Sequence, residues 1–154
     1  MAPRVLFLRN EHIATEALLG DAFTDHGFDV ETFDVVPAER SDDPAGDVTF
    51  PDPAGYDVLV PLGASWPVYD EALRSTWVGT EMQLIRDAAE RGTALLGVCF
   101  GGQLIAQLWR HGGTLVAPGD RLARRSQRSA RPRAGRSVVP VAFRPLDPAA
   151  RRHR

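Results

Sequence analysis

The stretch that most limits what this chain can fold into is residues 94–109, Ala-Leu-Leu-Gly-Val-Cys-Phe-Gly-Gly-Gln-Leu-Ile-Ala-Gln-Leu-Trp. An apolar run over 94–98 stops at Cys99 and resumes at once with helical spacing, placing Leu104, Ile105, Leu108 and Trp109 on one face. Strand, turn and helix therefore follow one another with no linker. Gly97, Gly101 and Gly102 bracket the cysteine, and residues without a Cβ let a strand reverse tightly while another backbone packs close by. Cys99 is expected on the turn, at the edge of a sheet and beside a helix N-terminus whose partial positive charge favours the nucleophilic thiolate. That arrangement is a nucleophile elbow. A lone cysteine is otherwise most often a small buried hydrophobe; the glycine bracket makes this one a candidate nucleophile.

The preceding chain supplies alternating strands and helices. Residues 5–8 form an apolar run suited to a buried parallel strand. A helix is expected from Asn10-Glu11 to about His26-Gly27, with Ile13, Ala17, Leu18 and Phe23 on its inner face. Residues 28–33 alternate as a second strand after the Gly27 stop. His12 and His26 read as helix-surface residues, since nothing near them in sequence completes a site. Residues 39–53 carry no periodicity and read as a surface loop with one helical turn. A third strand covers 56–61 and runs into Leu62-Gly63-Ala64-Ser65-Trp66-Pro67-Val68-Tyr69-Asp70. Residues 71–91 suit a helix interrupted near 76–80, and Gly92 ends it before the strand that leads to Cys99. The order is that of an α/β fold with a mostly parallel sheet.

Composition divides the chain. All 18 basic residues are arginine, and residues 1–118 hold 7 of them against 18 acids, whereas residues 119–154 hold 11 against Asp120 and Asp147 alone. Arg, Ala, Pro, Gly and Ser are what GC-rich codons yield out of frame. Residues 119–154 are therefore expected to be a disordered tail or the product of a frameshift near 118–120, since such a composition cannot bury a core. Only a short apolar run, 138–143, interrupts it. No apolar run is long enough to span a membrane, and Met1-Ala-Pro-Arg leads straight into a strand, so a cytoplasmic protein is expected. One cysteine excludes an internal disulfide, no Cys/His cluster has zinc spacing, and no metal or cofactor is expected.

At Gly97-Val98-Cys99-Phe100-Gly101-Gly102-Gln103 the chain resembles the class I glutamine amidotransferases, whose nucleophile stretch is Gly-Val-Cys, aromatic, Gly, any residue, Gln. Gly63-Ala64-Ser65 falls where that family has Gly-Gly-Pro, with a Ser-Val-Tyr-Asp-like loop beyond, and His111-Gly112-Gly113-Thr114-Leu115-Val116 resembles the family's Leu-Gly-Gly-Thr-Val step into the next strand. The resemblance covers residues 1–118. It implies an enzyme with a flavodoxin-like three-layer sandwich, incomplete at the C-terminus. It also implies that Cys99 attacks the side-chain amide of glutamine to give a glutamyl thioester and ammonia. The backbone N–H groups of Ala64 and Phe100 would form the oxyanion hole, Gly63 and Gln103 would help bind glutamine, and a synthetase partner would accept the ammonia. Ala64 replaces the family's second glycine; it keeps the N–H but adopts a positive φ poorly.

The same chemistry needs a histidine to move protons and a carboxylate to orient it, which the family takes from a late His-x-Glu. Here no glutamate follows Glu90, and the later histidines are His111, about three helical turns past Cys99, and His153, followed only by Arg154. Glutaminase activity is accordingly expected to be negligible. Two alternatives remain at this level. Cys99, Asp147 and His153 follow the nucleophile, acid, base order of an α/β-hydrolase of dienelactone type, though Gly63-Ala64-Ser65 is not the oxyanion motif of that fold. A non-catalytic protein with a basic nucleic-acid-binding tail is the other, but the tail lacks aromatic interleaving, so nucleic acid is not an expected partner.

Overall fold

The computed structural model describes residues 1–110, with side chains described through Leu108. The expected strand at 113–116, the Arg-rich segment 119–154 with its apolar run 138–143, and the alternative pair Asp147 and His153 lie outside the described residues.

Four strands form one sheet: β1 (Arg4–Arg9), β2 (Asp29–Asp34), β3 (Val58–Pro61) and β4 (Ala94–Leu95), in the order β2-β1-β3-β4 with every pairing parallel. Helices α1 (Ala17–Asp25), α2 (Glu71–Arg74), α3 (Trp77–Glu90) and α4 (Phe100–Arg110) complete the described fold, with short 3-10 turns at Ala38–Arg40 and Pro53–Gly55. Successive strand side chains point to opposite faces, and both faces of this sheet are covered. Leu6, Leu8 and Leu59 pack with Leu73, Trp77, Ile85, Phe100 and Leu104 on one side, while Val5, Phe7, Val58 and Val60 pack with Leu19 and Phe23 on the other. This is the expected flavodoxin-like three-layer sandwich. Its strands are nearly continuous apolar runs because parallel strands are buried on both faces.

The first helix differs from its expectation. It starts at Ala17 rather than at Asn10-Glu11, because the side chains of those two residues are engaged by the end of β3 instead of capping a helix. The later start turns the apolar stripe: Ile13 and Leu18 are 66% and 82% exposed, and Leu19, Gly20 and Phe23 face the sheet. Phe23 meets Phe7 and Phe28 edge to face, with ring centroids 5.7 and 5.0 Å apart.

The expected break near residue 76 is real. Asp70 caps α2 by accepting from the Leu73 N–H at 3.1 Å, the chain turns at Ser75 and Thr76, and α3 restarts at Trp77. Gly79 permits this tight join, since a Cβ there would lie 2.7 Å from the Arg74 carbonyl oxygen. The strand expected over 94–98 is shorter as a regular element, yet its ladder continues: Leu96 N–H donates to Leu59 O at 3.1 Å and Val98 N–H to Pro61 O at 3.0 Å. Its other edge carries no strand among the described residues, and Leu96 and Val98 are exposed. In α4, Leu104 is buried and Ile105 and Leu108 pack against the core as expected, while the Trp109 side chain is outside the described residues. Among the described residues no helix is long and apolar enough to cross a membrane.

Candidate active site

The carboxyl ends of parallel strands gather the loops of such a sheet on one side, and here the end of β3 meets the turn between β4 and α4. Cys99 occupies that turn with φ +49°, an αL conformation that L-residues adopt only when their surroundings impose it. The surroundings are visible. Gly101 N–H donates to Leu62 O at 3.1 Å and to Val98 O at 3.0 Å, and Gln103 N–H donates to Cys99 O at 3.0 Å. A Cβ at Gly101 would lie 2.1 Å from Pro61 O, and one at Gly97 would lie 2.5 Å from Gly102 Cα. Both glycines are therefore demanded by close backbone approach. The turn lifts Cys99 out of the core, leaving it exposed at the start of α4.

The β3 end faces this cysteine. A methyl at Gly63 would sit 3.7 Å from Cys99 Cβ and 3.9 Å from Ala14 Cβ, ordinary contact distances, so Gly63 lies close to the cysteine without being demanded by crowding. Ala64 has no positive φ, and neither does Gly63. Alanine at position 64 thus imposes no backbone strain. Among the described residues neither the Ala64 N–H nor the Phe100 N–H has an acceptor. Phe100 itself is 1% exposed, its ring 5.8 Å from that of Trp77, which anchors the first turn of α4. Gln103 is exposed one turn further along. The structure places Gly63 near Cys99, about a methyl group's width from contact; Ala64 and Phe100, each adjacent in sequence to one of these two, carry N–H groups without an acceptor among the described residues.

Three residues that frame the site were not singled out from sequence. Asn10 Nδ2 donates to Leu62 O and to Glu81 Oε1, each at 3.1 Å, and Glu11 accepts from Ser65 N–H at 2.7 Å and from Ser65 Oγ at 3.0 Å. Asn10 and Glu81 are fully buried. Burial pushes the Glu81 carboxyl up to about 8, opposed by the hydrogen bond from Asn10. A signal for Glu81 existed: it lies on the stripe Trp77, Glu81, Leu84, Ile85 and Ala88, where a charge is out of place. Asn10 and Glu11 carried no comparable local signal.

Of the two histidines among the described residues, His26 Nδ1 lies 2.7 Å from Ala22 O on α1, and His12 Nδ1 is buried with no partner. The expectation of His12 as a plain helix-surface residue fails with the late start of α1. No group of His, Cys, Asp and Glu among the described residues could hold a metal ion.

These features define a class: a doubly covered parallel α/β sheet in which the tight turn bearing Cys99 lies against the end of a neighbouring strand. No protein-family model and no curated protein matches the chain. Solved structures do. The chain is similar to a glutamine amidotransferase from Thermotoga maritima, with TM-score 0.55 and 23% identity over 70% of this chain and 43% of that one. It is also similar to a glutamine amidotransferase from Methylobacillus flagellatus, with TM-score 0.54 and 21% identity over 70% of this chain and 38% of the other. The chain spans about two fifths of the length of these structures. It has the glutamine amidotransferase fold.

Proposed function

We propose that residues 1–118 are a glutamine amidotransferase-like domain in which Cys99 is the nucleophile toward the side-chain amide of glutamine. The observation that carries this reading is Cys99 in an αL turn between close-packed glycines, with Gly63 at the end of the neighbouring strand close beside it. The Cys99 thiolate would attack the amide carbon, and the charge that develops on its oxygen would meet the unpartnered N–H groups of Ala64 and Phe100. Collapse to the glutamyl thioester breaks the C–N bond, and the nitrogen leaves as ammonia once it has gained a proton. Gly63 leaves room for the substrate, and Gln103, exposed on α4, contacts it. The strand order β2-β1-β3-β4, that of a flavodoxin-like sheet, supports this reading over a dienelactone-type hydrolase.

Protonation of the leaving nitrogen is the step the described residues do not serve. With no imidazole oriented by a carboxylate among the described residues, this reading carries negligible turnover, while substrate recognition and the thiol remain. A cytoplasmic location and a synthetase that accepts ammonia belong to the same reading.

The test separates recognition from turnover. An electrophilic γ-position analogue of glutamine should label Cys99, free glutamine should slow that labelling, and Cys99→Ser should abolish it, with no ammonia above background from glutamine itself. Labelling indifferent to glutamine would sink the reading. Cys99-dependent ammonia release at an enzymatic rate would overturn the inactivity, and ester or lactone hydrolysis unaffected by glutamine would favour the hydrolase.

A further inference from the structure

The turn over residues 62–65 is held from behind at both ends. Asn10 donates to the Leu62 carbonyl and Glu11 accepts from the backbone and hydroxyl of Ser65. Gly63 and Ala64 lie between these two anchors. Asn10 is in turn joined to Glu81, and the pair is fully buried beside Trp77, Val78, Leu84 and Ile85. Two atoms of the pair have no partner, Asn10 Oδ1 and Glu81 Oε2.

Those two atoms bear on the state of the pair. Leu62 O can only accept, so the Asn10 amide must present Nδ2 to it, and both Nδ2 hydrogens are then used, one on Leu62 O and one on Glu81 Oε1. Oδ1 is left needing a donor. An ionised Glu81 has none and would be a buried charge with a single hydrogen bond, which is costly. A protonated Glu81 carries an O–H on Oε2, and Asn10 Oδ1 is the acceptor in the pair without a partner.

We propose that Asn10 and Glu81 are a proton-controlled latch on the turn that carries Gly63 and Ala64, closed when the Glu81 carboxyl is protonated and released when that proton passes to solvent. The latch makes Asn10 and Glu81 positioning residues, acting through the Leu62 carbonyl. Their bearing on oxyanion stabilisation rests on the glutamine reading above; their control of the turn does not. The switch falls near pH 8 because burial raises the carboxyl to about 8. Asp70, Glu71 and Arg74 at α2, Cys99 before α4 and Glu11 after β1 do not contribute to that value, which is set by burial and the Asn10 bond alone.

The test is amide NMR of the full chain in a Cys99→Ser background, from about pH 6 to about pH 10, following Gly63, Ala64 and Ser65 with the Glu81 side-chain carbon as the reporter of ionisation. The three amides should share the Glu81 midpoint, near 8. In Glu81→Gln, whose amide can still accept at one atom and donate at the other, they should stay at their low-pH positions throughout. The latch is refuted by turn amides that titrate unchanged in Glu81→Gln, by turn amides that ignore the ionisation of Glu81, or by a Glu81 that keeps one state across the range. The last two are read without the substitution, so a misfolded variant does not shelter the idea. Failure of glutamine to protect Cys99 would remove the oxyanion role and leave this titration intact.

Discussion

Cys99 shows how much a single residue's setting can depend on its neighbours' missing side chains. Its αL backbone is held because Gly97 and Gly101 allow contacts that a Cβ would block. Gly101→Ala should therefore cost about 3 kcal/mol or more, read as a lowered denaturation midpoint, since the added methyl meets backbone rather than a mobile side chain. Gly63→Ala should be nearly neutral in stability, because its methyl falls at ordinary contact distance, yet it should slow labelling of Cys99 by bulky reagents. Iodoacetamide should label Cys99 faster than it labels glutathione at neutral pH, given exposure at a helix N-terminus; equal or slower labelling would count against the elbow. Glu81 gives the residue-scale pH dependence. Its carboxyl binds a proton more tightly folded, at about 8, than unfolded, near 4.5, so the native state holds more proton between those values. Stability should be greatest below about pH 4.5 as far as this group is concerned, fall by up to about 1.4 kcal/mol per pH unit, and level off above about 8. Chemical denaturation across this range should show the decline, and Glu81→Gln should flatten it.

At the scale of elements, α3 organises the described core. Trp77, at its first position, is fully buried, lies against Phe100 and Trp66, and donates from Nε1 to Pro44 O at 3.0 Å, tying a long surface segment to the helix. Trp77→Ala should cost about 3–5 kcal/mol, checked by equilibrium unfolding, because it opens a cavity and leaves a carbonyl unpaired. Pairing between β1 and β2 carries a different kind of contact. Arg9 and Asp34 are register partners whose side chains are bonded, which raises the guanidinium and holds the Asp34 carboxyl below its ordinary value. Both are partly exposed, so Arg9→Ala should cost less than about 1 kcal/mol and the difference should shrink with added salt. The periodicities that define these elements were legible in the sequence; the phase of α1 was not, since Asn10 and Glu11 look like a helix start until their partners in the turn after β3 and on α3 are known.

For the molecule as a whole, the charge split between residues 1–118 and 119–154 bears on behaviour in solution. The excess of 11 arginines over two acids in the second part should give weak polyanion binding that disappears steeply as salt rises. Retention on nucleic acid at about 0.2 M salt would revive the binding reading. By itself the sequence determined the alternation of strands and helices, the parallel sheet and the tight turn at Cys99, because each is encoded by the spacing of apolar residues and glycines that adjoin in the chain. Only the tertiary structure decided that Ala64 needs no special backbone, that Gly63 lies close beside Cys99, and that a buried carboxyl stands behind the turn. Asn10 and Glu81 are 71 residues apart, and Leu62, which completes the set, belongs to a third segment. Local pattern carries no information about such a meeting, because the hydrogen bonds and the burial that define it exist only once the sheet has brought the three segments together.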